Sequence, residues 1–249
     1  MSAVAERGVR RAAWATDLPP EKVAGSLYAV TPELRTEAAA ELFARGMPIH
    51  IDLILAPSAD GGALVHRGVS PEEVRRVRAA LPDAHLDLHV ILLSGAEREH
   101  DSPEVVALCE LAAEVAAARV VLPERLAEHP EVSAVLEAAG CETWRELRPA
   151  APVPVTAGEG SPGGKAGTLV MLIEPGTLDA ADPMLVERVG ELSGNTAVGV
   201  DGGVGPELAE RALALGTDHV VAGRALFITY DRATGEEIPA NGGETHDRR

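Results

Sequence analysis

Aromatic residues are scarce in this sequence, since Phe, Trp and Tyr together make up 2% of its 249 residues. Hydrophobic residues nevertheless reach 46%, so a core has to be built mainly from Val, Leu, Ala and Ile. A chain of this length is long enough to bury one full core. The sequence therefore predicts a single main domain with an aliphatic interior.

Cysteines and long apolar runs are also few. The two cysteines, Cys109 and Cys141, show no CxxC or other thiolate-ligand spacing, which predicts free thiols in a reducing compartment. Residues 1–22 contain no continuous apolar run typical of a secretory signal, and no later run approaches the roughly 18 apolar residues of a membrane span. These absences predict a cytoplasmic protein with no membrane partner.

Basic residues are few, because 22 Lys and Arg stand against 39 Asp and Glu, which gives a formal charge of −17. Nucleic acids and anionic membrane surfaces repel such an acidic chain. An anionic substrate would need a locally positive pocket or one that donates hydrogen bonds. The charge therefore argues against a nucleic-acid partner.

Apolar strand-like runs alternate with helical patterns, which favours βαβ units around a parallel sheet. Eight strands are predicted, in the runs 23–30, 48–55, 85–92, 118–123, 141–147, 167–176, 196–204 and 219–227. Ser70, Pro71 and Glu73 predict a capping box at the start of one intervening helix. Eight strands in about 250 residues favour a (β/α)8 TIM barrel. The predicted barrel domain is 23–230, after an N-terminal extension (1–22) and before a polar C-terminal tail (231–249).

Residues of the metal-ligand type occur in three of the predicted strands. His50 and Asp52 are two residues apart, so both side chains project to one side of the sheet, and His89 and Asp201 follow in later strands. Barrel enzymes gather catalytic groups at the carboxyl ends of several strands. Any one of these residues alone could be a buried structural group, but together they predict a divalent metal site with two acid/base candidates. The other histidines, among them His219, are assigned no chemistry.

These residues lie in segments that resemble those of the ribulose-phosphate 3-epimerase family, over roughly 23–227. IHIDLIL is similar to the family's HxDxMDG segment, LDLHVI to DVHLM, and LVMLIEPG to VMxVNPGFGGQ. VGVDGGV and VVAGRALF resemble its last two strands, and Ser26 stands at the serine of its opening SxL segment. The segments also occur in the family's order.

The resemblance implies a TIM barrel of the ribulose-phosphate-binding type that interconverts D-ribulose 5-phosphate and D-xylulose 5-phosphate. It implies one divalent ion (Zn, Fe(II), Mn or Co) held by His50, Asp52, His89 and Asp201. Asp52 and Asp201 are then also the acid/base pair, acting through a metal-stabilised enediolate. The implied substrate and phosphate contacts are Ser26, Met171, Gly176, Gly202, Gly203, Gly223 and Arg224. A sugar phosphate is the expected partner, and a homo-oligomer is expected because members of the family are commonly dimers or hexamers.

Two loops depart from the family pattern. Leu55 replaces the family's second acid in LILAPSADGGALVHRG, and EPGTLDAADP keeps Pro175 and Gly176 but lacks the GFGGQ continuation. Arg224 stands where the family usually has a small residue. Its guanidinium could bind a phosphate or form a surface ion pair. Two alternatives therefore stay open. One is an epimerase or isomerase-like enzyme for a modified or unphosphorylated ketose in a specialised pathway, and the other is a noncatalytic ligand-binding barrel.

Overall fold

The computed structural model describes residues 6–59, 63–96, 102–154, 166–177, 179–194 and 196–238. The strands in these ranges are β1 (Arg7–Arg11), β2 (Val23–Ser26), β3 (Ile49–Pro57), β4 (Leu64–His66), β5 (Leu86–Leu92), β6 (Arg119–Pro123), β7 (Glu142–Leu147), β8 (Gly167–Met171), β9 (Ala197–Asp201), β10 (His219–Ala222) and β11 (Phe227–Asp231). The α-helices are α1 (Arg35–Ala44), α2 (Pro71–Ala80), α3 (Pro103–Glu114), α4 (Glu124–Ala127), α5 (Pro130–Ala138), α6 (Arg188–Leu192) and α7 (Pro206–Ala214). Short 3-10 helices cover Ala13–Thr16, Pro20–Lys22, Leu27–Ala29, Pro32–Leu34 and Leu185–Glu187. Among the described residues, no helix has the length and apolarity needed to cross a membrane.

Eight of the strands close into a parallel barrel. Hydrogen-bonded neighbours follow the order β2, β10, β9, β8, β7, β6, β5, β3, and β3 returns to β2 through the pairing of Ser26 with His50. Helices pack on the outside, where Leu42 of α1 and Val74 of α2 share one buried cluster with Ile51 of β3. The predicted TIM-barrel fold is confirmed.

The first and last barrel strands are shorter than the predicted runs. β2 ends at Ser26, where a 3-10 turn begins, and β10 ends at Ala222, just before Gly223. The chain then forms β11, which pairs antiparallel with β1. Val9 and Phe227 of this two-stranded ribbon pack in the core together with α1. The division into extension, barrel and tail stays a prediction, but part of the predicted extension joins the barrel's outer layer.

A single indole fills much of the barrel interior. Trp144 is 1% exposed and lies in a buried cluster with Ala24, Val121, Leu169, Met171 and Val221. Two glycines on the next strands leave room for its ring, because a methyl group would lie 2.3 Å from the ring at Gly167 and 3.0 Å from it at Gly199. The guanidinium carbon of Arg119 lies 4.0 Å from the ring centroid, and His219 meets the ring edge-on. The barrel is therefore packed even though aromatic residues are scarce.

Replacing Gly167 with Ala should destabilise the protein by about 1–3 kcal/mol, because overpacking forces the indole or β8 to shift. The free energy of unfolding, measured by urea denaturation in the presence of EDTA, checks this. Gly190→Ala in α6 is the control, since its methyl group would only meet Leu215 at 3.8 Å, and alanine favours a helix by roughly 0.5–1 kcal/mol over glycine. Equal stabilities of the two variants would contradict the packing described for Trp144.

Candidate metal centre

The four predicted ligand residues converge inside the barrel, towards the carboxyl ends of its strands. His50 and Asp52 lie on β3, His89 lies beside Asp52 in the register of β5, and Asp201 is the last residue of β9. One possible ligand atom from each residue lies within 4.8 Å of the others. Ile51 points outward into the helical layer, so strand alternation turns its two neighbours inward.

The spacing of these atoms suits a bound metal ion. Nε2 of His50 lies 3.3 Å from Oδ1 of Asp52 and 3.8 Å from Oδ2 of Asp201, and Nδ1 of His89 lies 3.7 and 3.6 Å from the same two oxygens. Metal–ligand distances of about 2.0–2.2 Å in tetrahedral zinc sites place neighbouring ligand atoms roughly 3.3–3.6 Å apart. Neither nitrogen has a hydrogen-bond partner among the described residues, although both imidazoles are fully buried. The donor set therefore fits a divalent ion.

A second carboxylate holds the far side of each imidazole. Nδ1 of His50 lies 3.1 Å from Oδ2 of Asp87, and Nε2 of His89 lies 2.9 Å from Oε2 of Glu146. Nε of Arg148 in turn donates to Oε1 of Glu146 at 2.6 Å. An N–H directed at each carboxylate leaves the lone pair on the opposite ring nitrogen. The two histidines therefore present different nitrogens to the centre, Nε2 of His50 and Nδ1 of His89.

His50, Asp87 and His219 form a second close group of ligand-type residues. Nε2 of His219 lies 2.6 Å from Oδ2 of Asp87, which is a hydrogen-bond distance. The guanidinium of Arg119 lies 3.7 Å from the same oxygen, and its positive charge disfavours a cation there. This second group is thus a hydrogen-bonded support for His50.

Among the described residues buried around the centre, the formal charges leave an excess of two negative charges. Two guanidinium groups, those of Arg119 and Arg148, oppose the carboxylates. Two more exposed carboxylates, those of Glu142 and Glu174, pair with the same guanidinium groups from outside and are not counted. The four carboxylates that meet here are Asp52, Asp87, Glu146 and Asp201. Uncompensated charge is costly in a buried site. One divalent ion removes the excess, and so do two protonated histidines.

The pKa values of the histidines reflect this excess of negative charge. Burial by itself lowers the pKa of His50, but the carboxylates of Asp52 and Asp87 outweigh it and raise that pKa to about 10. Burial also opposes protonation of His89, yet three facing carboxylates raise its pKa well above the ordinary value. Burial lowers the pKa of His219, which is therefore counted as neutral. In the metal-free protein, protons on His50 and His89 would offset this excess.

A hairpin fixes the backbone of Asp52. The end of β3 pairs antiparallel with β4, in a segment predicted to be a Gly-rich loop. The chain then continues along β3, with the N–H of Arg67 donating to the carbonyl of Ile54 and the N–H of Val69 to that of Asp52. A methyl group at Gly68 would lie 2.1 Å from the carbonyl oxygen of Asp52. Asp52 is thus held between β5 and a return strand that approaches this closely only with glycine.

Two predicted substrate-contact residues touch the centre directly. Oγ of Ser26 donates to Oδ2 of Asp52 at 2.6 Å. The backbone N–H of Gly202 donates to Oδ1 of Asp201 at 2.6 Å, and its φ of 102° favours glycine. Met171 pairs with Asp201 in the register of β8 and β9 and is buried in the barrel. These contacts place Ser26, Gly202 and Met171 beside the four ligand residues.

The other predicted phosphate residues lie in the loops that follow β8, β9 and β10. Gly176 packs on Leu93, and a methyl group at Gly203 would lie 3.1 Å from the backbone nitrogen of Ala181. Gly223 lies close to the 3-10 turn that follows β2. Arg224 is exposed, and no hydrogen bond or ion pair joins it to another described residue. The ion pair considered for Arg224 is therefore not seen in this part of the chain.

Sequence reasoning missed the residues behind the two histidines. Asp87 precedes His89 by two positions, so strand alternation places both side chains inside the barrel. Glu146 and Arg148 show the same alternation at the end of β7. His219 was assigned no chemistry, but it is 1% exposed and supports Asp87 inside the barrel. In all of these cases, the alternation of side chains along the strand was the pattern that could have identified these residues as facing the barrel interior.

No protein-family model matches the sequence, and no curated protein matches it. Solved structures do resemble it. N-acetylmannosamine-6-phosphate 2-epimerase from Clostridium perfringens matches with a TM-score of 0.52 at 14% identity, over 82% of this chain and 87% of that one. A mutant tryptophan synthase alpha-subunit from Pyrococcus furiosus gives 0.52 at 15% identity, over 83% and 88%, and phosphoribosyl anthranilate isomerase from Thermus thermophilus gives 0.50 at 18%, over 82% and 88%. At these identities the similarity shows the TIM-barrel fold alone.

Binding of one zinc ion at pH 8 should release about two protons, because the ion displaces those held on His50 and His89. Histidines with an ordinary pKa near 6.5 are almost entirely neutral at this pH and would release few. Titration of the metal-free protein in weakly buffered indicator solution measures the release. His85→Gln should leave the count unchanged, since His85 is outside the centre. Release of no protons at pH 8 would contradict the charge balance described for this site.

Proposed function

We propose that this protein is a metal-dependent ketose-phosphate 3-epimerase that interconverts D-ribulose 5-phosphate and D-xylulose 5-phosphate or a closely related sugar phosphate. The observation that carries the proposal is the meeting of Asp52 and Asp201 with two imidazole nitrogens that have no hydrogen-bond partner in the described part of the chain. The segments that resemble the ribulose-phosphate 3-epimerase family contain all four residues and supply the choice of reaction.

Two carboxylates that reach a substrate from different sides are what this reaction needs. Inverting a carbon next to a ketone removes a proton from one face and returns a proton to the other, and one fixed base cannot serve both faces. Asp52 on β3 and Asp201 on β9 are separated by β2 and β10 in the barrel, so they approach the centre from different directions. In each direction of the reaction one acts as the base and the other as the acid.

Asp52 is held in its ionised form by the two imidazoles beside it. Burial by itself raises the pKa of Asp52, but His50 and His89 outweigh it and lower that pKa well below its ordinary range. The hydroxyl of Ser26 donates to Oδ2, whereas Oδ1 faces the imidazole nitrogens. Ser26 therefore fixes the rotation of the carboxylate that faces the substrate.

A divalent ion held by His50, Asp52, His89 and Asp201 would act as a Lewis acid that polarises the substrate's carbonyl and acidifies the neighbouring C–H bond. Two imidazoles with two carboxylates suit Zn, Fe(II), Mn or Co. Asp87 holds the imidazole of His50 in the orientation that such an ion needs.

The phosphate of the substrate is assigned to the loops after β9 and β10, the usual phosphate position of this barrel type. Backbone N–H groups near Gly203 and Gly223 would donate to it. Arg224 is exposed and unpaired among the described residues, so its guanidinium is free to bind a phosphate in a bidentate manner.

A modified or unphosphorylated ketose is the second candidate substrate. The loop after β8 packs Ala181 against Gly203, which narrows the space proposed for a phosphate. The same loop carries the exposed carboxylates of Asp179 and Asp182. In this alternative the metal centre and both aspartates keep their roles, and Arg224 contacts another acidic group. A noncatalytic barrel is the weaker alternative, because buried charges are costly without a metal or a reaction to use them.

The direct test incubates the metal-loaded protein with D-ribulose 5-phosphate in deuterated water. NMR should show deuterium at C3 together with formation of D-xylulose 5-phosphate. Exchange and product with an unphosphorylated ketose, and none with the phosphate ester, would favour the second candidate. No exchange with any ketose from a folded, metal-loaded protein would contradict the epimerase proposal.

Asp52→Asn and Asp201→Asn should each lower the rate of C3 exchange by about 100- to 10,000-fold, the range expected when a general acid or base is lost. The rates are compared at equal metal occupancy, measured for each variant, because both residues are also proposed ligands. Asp218→Asn is the matched control, since Asp218 lies just before β10 and, among the described residues, its carboxylate accepts the backbone N–H of Val198. Wild-type exchange in both site variants would exclude the two-carboxylate mechanism.

A further inference from the structure

On the β7 side of the barrel, the carboxylate of Glu146 contacts the proposed ligand His89 and is itself held by the guanidinium of Arg148. The side chain of Glu146 is 1% exposed, and its Oε2 lies 2.9 Å from Nε2 of His89. Its other oxygen accepts from Nε of Arg148 at 2.6 Å. No other contact with a described side chain explains why a carboxylate is buried at this position, and burial of an unpaired carboxylate would be costly.

Arg148 joins three parts of the barrel around this carboxylate. Its Nη2 donates to the carbonyl of Leu92, at the end of the strand that carries His89, at 2.5 Å. Its Nη1 lies 3.3 Å from Oε1 of Glu174 in the loop after β8. The side chain of Arg148 is only 22% exposed, so this arrangement fixes the position of Glu146 relative to β5.

The orientation and the tautomer of the His89 imidazole depend on this pair. A neutral imidazole carries its proton on either nitrogen, and a proton on Nδ1 would block the atom that faces Asp52 and Asp201. A carboxylate at Nε2 favours the N–H on that nitrogen and leaves the lone pair on Nδ1. Hydrogen bonding to a carboxylate also raises the basicity of the ligating nitrogen.

We propose that Glu146, oriented by Arg148, is the positioning residue that directs Nδ1 of His89 at the metal centre. The inference rests on the proposed metal centre and adds a determinant of its affinity outside the four ligands. Asp87 contacts Nδ1 of His50, whereas Glu146 contacts Nε2 of His89. The two imidazoles are therefore held by separate carboxylates.

The test compares Glu146→Leu and Glu146→Gln with the wild-type protein. Leucine removes the acceptor, whereas glutamine keeps a carbonyl oxygen in the same place. Zinc affinity, measured by competition with a chromophoric chelator, should fall by about 10- to 100-fold in Glu146→Leu and by less in Glu146→Gln. Nitrogen-15 NMR of the zinc-loaded proteins should show His89 with a protonated Nε2 in the wild type and in Glu146→Gln.

Glu142→Gln is the matched control, because Glu142 lies on the same strand and pairs with Arg119 but does not contact His89. It should leave zinc affinity close to the wild-type value. Thermal unfolding of every variant in EDTA shows whether the metal-free barrel is intact, and Glu146→Gln carries the test if Glu146→Leu does not fold. Zinc affinity equal to the wild-type value in Glu146→Leu, or in Glu146→Gln if the leucine variant does not fold, would overturn the inference. Failure of the wild type to bind any divalent ion would instead overturn the proposed metal centre.

Discussion

Neutralisation of buried carboxylates is the constraint on which the interior of this barrel depends. Four carboxylates meet two guanidinium groups and three imidazoles in a space that is also lined by aliphatic side chains and one indole. Because one divalent ion or two protons on imidazoles would each match the remaining two negative charges, a divalent ion could replace the two protons without changing the total charge. This balance would favour ions of charge two.

Close backbone packing gives the centre its geometry. Gly68 allows a return strand to hydrogen bond along β3 and hold Asp52, and Gly167 and Gly199 allow Trp144 to fill the barrel. The guanidinium of Arg119 stacks on the face of the Trp144 indole and lies beside the carboxylate of Asp87. A chain of contacts therefore runs from the packed interior to the imidazole of His50, so the ligand side chains are positioned by the barrel core.

The sequence predicted the fold and the four ligand-type residues that meet inside the barrel, whereas their role as metal ligands stays a prediction. Alternation of apolar and polar positions placed His50 and Asp52 on the same side of one strand, and the capping box at Ser70 and Glu73 is present in the structure. The pairing of Glu146 with His89 could not be predicted, since it joins strands 57 positions apart. It depends on the barrel's closure and register.

Long-range packing also explains the differences at the ends of the barrel strands. The run after Gly223 was predicted to continue the last strand, but it pairs with β1 near the amino terminus. The hairpin that contains β4 could not be distinguished from a loop, because its pairing depends on the length of β3. The contact of Ala181 with Gly203 could not be predicted from the sequence either, because it joins loops that follow two different strands.

X-ray absorption spectroscopy at the zinc edge of the zinc-loaded protein tests the central claim most directly. Two imidazole nitrogens and carboxylate oxygens are expected at about 2.0–2.2 Å, with no sulfur shell near about 2.3 Å. Loss of one imidazole from the spectrum of His89→Ala, with the other retained, is expected as well. A sulfur shell, which would implicate Cys109 or Cys141, or a site with no imidazole would contradict a centre built from His50, Asp52, His89 and Asp201.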